Sequence, residues 1–188
     1  MFGENKFSDF VGGLSTAFIN LSSEYPVILN SLFLLFAACG VVISSTAVFD
    51  VIRAGSKSNQ TESTPRTVFV KFLGGIGLID LSFWAKIWSA SLWANEDVLG
   101  IDSYTAGSMG GYANEAMMAA LGILVITGYV TLARAYFMIA KFGSLGPESR
   151  SNMVGSIIAR IVAGSALISI IHIAKLIESS TDLKIITF

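Results

Sequence analysis

Charged side chains are scarce in this chain, and the groups that usually carry enzyme chemistry are scarcer still. Asp, Glu, Lys and Arg make up 13% of its 188 residues, against roughly 25% in a typical soluble domain. There is one histidine, His172, and one cysteine, Cys39. They lie far apart in sequence, so no metal-ligand set is expected, and a lone cysteine excludes an intrachain disulfide. A formal net charge of -1 offers no global attraction for nucleic acid. The first residues lack the basic stretch of a secretory signal: Glu4, Lys6, Asp9 and Glu24 leave them slightly acidic, and no cleaved leader is expected. Gly74-Gly75-Ile76-Gly77 matches a phosphate-binding loop in glycine content alone, because no Lys-Ser or Lys-Thr follows it. The expectation is a non-enzyme, with no catalytic, cofactor-binding or metal-binding residues.

What the chain has in abundance is apolar length. Pro26 to Phe49, Val68 to Ala94, Ala116 to Ala133 and Gly155 to Ala174 each approach the length needed to cross a hydrocarbon core of about 30 Å. Overall 53% of residues are apolar and the mean hydropathy is +0.70. In lipid every backbone polar group must be paired within the chain, which leaves helices or closed barrels, and these stretches are too long for barrel strands. The reading is an all-α membrane protein of four transmembrane helices, arranged as two tandem helical hairpins behind an amphipathic helix. Residues 1–26 form the amphipathic segment, 27–94 the first hairpin, 95–115 an exoplasmic loop, 116–178 the second hairpin and 179–188 a tail.

The loops orient it. Arg53, Lys57, Arg66 and Lys71 surround the first connector, and Arg134, Lys141, Arg150 and Arg160 the second. Residues 95–115 carry Glu96, Asp97, Asp102 and Glu115 and no cation. Lys and Arg are retained on the cytoplasmic side, so both hairpin tips are expected inside and both termini outside. Trp84, Trp88 and Trp93 gather toward the outer end of the second stretch, as an interfacial aromatic belt would place them. Ahead of the first stretch, Phe7, Phe10, Val11, Leu14, Phe18, Leu21 and Tyr25 form one apolar face at helical spacing. That fits a helix lying in the interface or packed on protein, and Pro26 ends it.

The second and fourth stretches align with each other. Residues 70–80 match 159–169, placing Lys71 on Arg160, Gly75 on Gly164 and Asp80 on Ser169, and Lys86 then falls on Lys175. Each copy follows an apolar stretch and a basic loop, which makes the chain a parallel duplication of one hairpin. Small residues such as Gly74, Gly75 and Gly164 are candidates for close helix packing, and a homo-oligomer is expected. Asp80 stands inside an apolar run, where carboxylates usually face protein or water. With His172 at comparable depth, Asp80 forms a candidate intramembrane polar pair.

Span one ends in Phe49-Asp50-Val51-Ile52-Arg53, followed by a Ser/Thr-rich loop with Pro65 and then Phe72-Leu73-Gly74-Gly75. In the second half Leu132-Ala133-Arg134-Ala135 closes a span, a Gly-Pro loop follows, and 152–164 opens the last one. Across about residues 27–178 this pattern resembles the small inner-membrane proteins of type IVB secretion and IncI-type conjugation systems. That group includes IcmC/DotE, DotV and IcmD and the TraQ-like and TraR-like proteins. The resemblance implies a non-enzymatic, multi-pass subunit of the bacterial inner membrane, with periplasmic termini, in contact with lipid, with itself and with other secretion or conjugation subunits. The chain also looks like two conjugative pilins in tandem, which implies a channel-lining or pilin-like role and an extracellular filament after assembly. Arg53, Lys57, Arg66, Lys141 and Arg150 would then face the lumen and the phosphates of translocated DNA. The alternative is an ion- or proton-coupled small membrane protein using Asp80 and His172.

The orientation is open to direct measurement. Cysteines placed at Ser58 and Ser144 are expected to resist a membrane-impermeant maleimide in intact cells, while one at Ser103 reacts. Labelling at Ser58 reverses the topology.

Overall fold

A long apolar run in which side chains offer the backbone no competing hydrogen bonds is helical wherever water is excluded. The computed structural model is described for residues 12–14, 16–17, 19–56, 65–94 and 112–181, and among these there is no strand. From Tyr25 onward the described helices are α1 Tyr25–Ser56, α2 Pro65–Ile79, α3 Leu81–Trp93, α4 Tyr112–Phe142, α5 Pro147–Ile168 and α6 Ile170–Thr181. Pro26 lies in the first turn of α1, where its missing N–H costs nothing, and a turn at Ser23–Glu24 precedes it. The described residues from 12 to 22 are helical too, with Leu14 and Leu21 each 43% exposed. Phe7, Phe10, Val11 and Phe18 of the expected apolar face lie outside the described residues, as do Lys57, most of the central loop and the last seven residues.

Among the described residues three helices are long and apolar enough to cross a membrane: Tyr25–Arg53, Met117–Phe142 and Glu148–Ile168. A fourth crossing exists if α2 and α3 count as one span, and the two are bent by 94° at Asp80. The second apolar stretch is therefore not the straight helix that its hydropathy suggests. At 1.5 Å per residue, the 15 residues of α2 reach about 22 Å, short of a hydrocarbon core, before the chain turns aside. The fourth stretch breaks at the equivalent place. Ser169 separates α5 from α6, as Asp80 separates α2 from α3. The helix after the central loop begins at Tyr112, a turn before the residue-116 boundary drawn from hydropathy.

The duplication seen in the sequence is repeated in the packing. A Cβ on Gly40 of α1 would lie 2.6 Å from the carbonyl oxygen of Gly75 and 2.9 Å from the backbone N of Ile79 in α2. A Cβ on Gly128 of α4 would lie 2.9 Å from the oxygen of Gly164 and 3.0 Å from the N of Ile168 in α5. Gly40 and Gly128 are 88 residues apart, and both Gly75 with Gly164 and Ile79 with Ile168 are 89 apart. The reciprocal contacts match as well: Gly75 faces Ser44, and Gly164 faces Leu132, again 88 residues on. Each pair runs antiparallel, with backbones touching where no side chain intervenes.

The two pairs join through α4. Tyr25 donates from its hydroxyl to the carbonyl of Ala119 (2.5 Å), and Phe33 meets Tyr129 edge-on with centroids 5.0 Å apart. Rising residue numbers on both sides make α1 and α4 parallel. Helix α2 meets α4 through glycines: a Cβ on Gly74 would lie 2.6 Å from the N of Ala140, and one on Gly77 would enter the ring of Tyr136. Tyr136, Leu132 and Val125 of α4 are buried in the resulting core with Leu78, Leu81 and Ile168.

Glycine substitutions test these crossings. Gly40→Ala and Gly128→Ala are each expected to cost about 1–3 kcal/mol by forcing backbones apart. Gly155→Ala, with nothing within 4 Å of its added methyl, is expected to gain about 0.5–1 kcal/mol of helix stability. Thermal unfolding in detergent, followed by circular dichroism, orders the three. Wild-type stability for Gly40→Ala contradicts the tight crossing.

Candidate functional site

The chain's polar chemistry concentrates in two places, the cationic hairpin tips and the helix break at Asp80. Both tips lie at one end of the molecule. Thr67, in the first turn of α2, donates from Oγ1 to the carbonyl of Gly143 in the α4–α5 connector (2.8 Å). Arg150, in the first turn of α5, donates from Nη2 to the same oxygen (2.9 Å). Gly143 itself lies against Thr67, with a would-be Cβ 2.6 Å from its Cα.

The five candidate lumen-facing cations thus divide. Arg53 in the last turn of α1, Arg66 at the start of α2 and Lys141 in the last turn of α4 are exposed. Among the described residues none of the three makes an ion pair or side-chain hydrogen bond. Lys57 lies outside the described residues. Arg150 is half-buried and engaged with the end of α4, and its Nε is buried without a partner. Its charge sits where a helix C-terminus favours a cation, so its first role is structural. The sequence could not single it out, because its partner is a backbone carbonyl.

One ion pair appears that hydropathy and loop charge did not reveal. Lys71 of α2 bonds Asp50 of α1 at 2.8 Å, each side chain 28% exposed. Both lie one to two turns beyond the Ser44–Gly75 contact, toward the cationic tips. Near the apolar layer an unpaired charge of either sign is costly, and the pair removes that cost for both. The signal was available once α1 and α2 are paired antiparallel through their glycines. Lys71 is then a neutralised cation rather than part of the loop's free charge.

Asp80 is the N-cap of α3. Its carboxylate accepts from the backbone N–H of Phe83 (3.2 Å) and from the Ser82 hydroxyl (3.3 Å). The free N–H groups at a helix start are an ordinary partner for a carboxylate, which accounts for an acid inside an apolar run. His172 is a half-buried residue of α6, and among the described residues no hydrogen bond or ion pair joins it to Asp80. Likewise, no group of three or more His, Cys, Asp or Glu among the described residues is placed to hold a metal ion.

The remaining candidates pack. Gly74, Gly75 and Gly164 are buried, and each approaches a helix of its own chain, α4, α1 and α4 respectively. The tryptophans are half-buried and make contacts within the chain. After the 94° bend, Trp88 donates from Nε1 to the Tyr136 hydroxyl (3.0 Å) and Trp93 to Ser165 Oγ (3.1 Å). Trp84 lies tilted against Tyr136 with centroids 6.1 Å apart. Lys86 remains exposed on α3.

The cap makes a prediction separable from proton relay. Asp80→Ala is expected to lower stability by about 1 kcal/mol, whereas Asp80→Asn, which still caps, stays near wild type. Thermal melts of the two variants check this; equal loss in both shows that the charge, not the cap, matters. No protein-family model, curated protein or solved structure matches this chain.

Proposed function

We propose that this multi-pass membrane protein is a non-enzymatic subunit of a conjugation or type IV secretion apparatus, acting as a homo-oligomer in a channel-lining or pilin-like role. The observation that carries the reading is the duplicated hairpin with its cationic tips gathered at one end. Two equivalent glycine crossings build two equivalent units, and the bond from Thr67 to Gly143 brings their basic ends together. Exposed cations Arg53, Arg66 and Lys141 at that end suit two tasks. They hold the tips on the cytoplasmic side of the inner membrane, with both termini periplasmic, and they offer counter-charge to DNA phosphate. Much of the remaining surface is apolar, with Leu34 74% and Val42 63% exposed on α1, as lipid or neighbouring subunits require. Resemblance to the type IVB and IncI-type inner-membrane proteins points the same way.

The alternative, ion or proton coupling through Asp80 and His172, draws less support. The cap gives the carboxylate a structural reason to be where it is, and His172 makes no bond to it.

Deleting the gene is expected to abolish conjugation or secretion and leave growth unchanged. Neutralising Arg53, Lys57, Arg66 and Lys141 together is expected to lower DNA transfer at unchanged protein level and orientation. Arg150→Gln should act differently, reducing the amount of folded protein through the lost bond to Gly143. Full transfer by the fourfold variant in the correct topology reduces those cations to orientation signals.

A further inference from the structure

The surface that joins the two halves of this chain has an unused copy at each end of the duplicated unit. On the first hairpin a groove of about 420 Å³ opens between the end of α1 and the start of α2, lined by Ala47, Val48, Val51, Val68, Phe69 and Phe72. Advancing α1 by 88 residues and α2 by 89 gives its counterpart on the second hairpin: Ala135, Tyr136, Ile139, Ile157, Ile158 and Ile161. There Ala135, Tyr136, Ile157 and Ile161 are buried. The first hairpin covers Tyr136, with Gly77 beneath its ring, Trp84 beside it and Trp88 on its hydroxyl. In the first hairpin Val48, equivalent to Tyr136, is 48% exposed and Phe72, equivalent to Ile161, is 39% exposed, whereas Phe69 and its equivalent Ile158 are exposed in both. Among the described residues, nothing from the rest of the fold covers this groove as the first hairpin covers Tyr136.

The covering side recurs as well. Thr67, Gly74 and Gly77 of α2 meet Gly143, Ala140 and Tyr136 of α4. Moved forward by 89 residues, the first set becomes Ser156, Ala163 and Ala166 on α5, still small and with the hydroxyl kept. Ala163 is exposed, Ser156 and Ala166 are half-buried, and Gly155 beside them has open space where a Cβ would stand. Moved back by 88, the second set becomes Gly55, Ile52 and Val48 on α1, with Ile52 60% exposed. Volumes compensate at the deepest contact, where glycine under a tyrosine ring becomes alanine against the smaller valine.

We propose that a second copy of this chain docks its second hairpin into the groove of the first, repeating between chains the contact made within each. Helix α5 of one copy crosses α1 of the next, with Ala163 against Ile52 and Ala166 against Val48. Close approach of small residues is what binds helices in lipid, where apolar burial alone gives no preference for protein. The contact is heterologous, so each copy offers one groove and one ridge and assembly continues until a ring closes or a filament grows. The proposal rests on the homo-oligomer in the reading above, and not on what the apparatus exports.

In a Cys39→Ala background, Ile52→Cys is placed in one tagged copy and Ala163→Cys in a second, differently tagged copy. The two are co-expressed, and the membranes are oxidised or bridged with a short bis-maleimide. A dimer carrying both tags is expected, and the double variant Ile52→Cys, Ala163→Cys should give a ladder of multimers. Adding Ala166→Leu, which overfills the contact at Val48, should collapse the ladder toward monomer while circular dichroism of the solubilised chain stays unchanged. A bond between two Ile52→Cys copies with none between positions 52 and 163 overturns the proposal in favour of a two-fold dimer. Bands to a different protein alone, or monomers that carry bound phospholipid in native mass spectrometry and form no bands, assign the groove to those occupants instead. A ladder in cells whose conjugation or secretion survives gene deletion keeps the interface and removes the export reading.

Discussion

Close approach of backbone to backbone at glycine holds this molecule together. Lipid tails are as apolar as leucine, so helices in a membrane associate through packing contacts and not by escape from solvent. At Gly40 with Gly75 and at Gly128 with Gly164, the absence of a side chain lets α1 close on α2 and α4 on α5. Those crossings fix the depth of each partner. They set Asp50 within reach of Lys71, and they carry the helix breaks at Asp80 and Ser169 to matching positions. The contact between halves uses the same device, with Gly74 and Gly77 giving way to Ala140 and Tyr136. A side chain at Gly40, Gly74 or Gly128 meets backbone and presses on a whole helix, whereas one at Gly77 meets the Tyr136 ring.

Several polar groups follow a second rule and are placed where a helix end, a hydroxyl or an opposite charge can answer them. Asp80 caps α3, Lys71 meets Asp50, Arg150 reaches the end of α4, and the indole N–H groups of Trp88 and Trp93 find hydroxyls in neighbouring helices. Side chains left without such a partner, among them Arg53, Arg66 and Lys141, lie exposed at the tips. The tips thus carry a cluster of free cations, while the Lys71–Asp50 pair lies one to two turns further in.

Much of this was legible before any coordinates. Apolar length located the helices, and the alignment of 70–80 on 159–169 placed Gly75 on Gly164 in the register that the crossings occupy. The bend at Asp80 was not legible from hydropathy, which averages over a window wider than the break. The residue type carried a hint, since Asp is among the preferred N-caps and its equivalent Ser169 is another. Asp50–Lys71 becomes legible only once α1 and α2 are paired antiparallel through their glycines. The engagement of Arg150 stayed hidden because its partner is a backbone carbonyl, which no residue type marks. The indole bonds of Trp88 and Trp93 were not legible either, because an interfacial position and packing against a neighbouring helix draw on the same residue type.

The engagement of Gly143 has an electrostatic consequence. A helix C-terminus presents unanswered carbonyls and about half a negative charge, which repels phosphate. At the end of α4 the oxygens of Lys141 and Phe142 accept from the N–H groups of Ser144 and Leu145, at 3.1 and 3.4 Å. The Gly143 oxygen takes Thr67 and the Arg150 guanidinium together, so both of its lone pairs are occupied. The negative pole of α4 is thereby masked. An anion approaching this face meets Lys141 without the opposing dipole that would otherwise stand directly behind it.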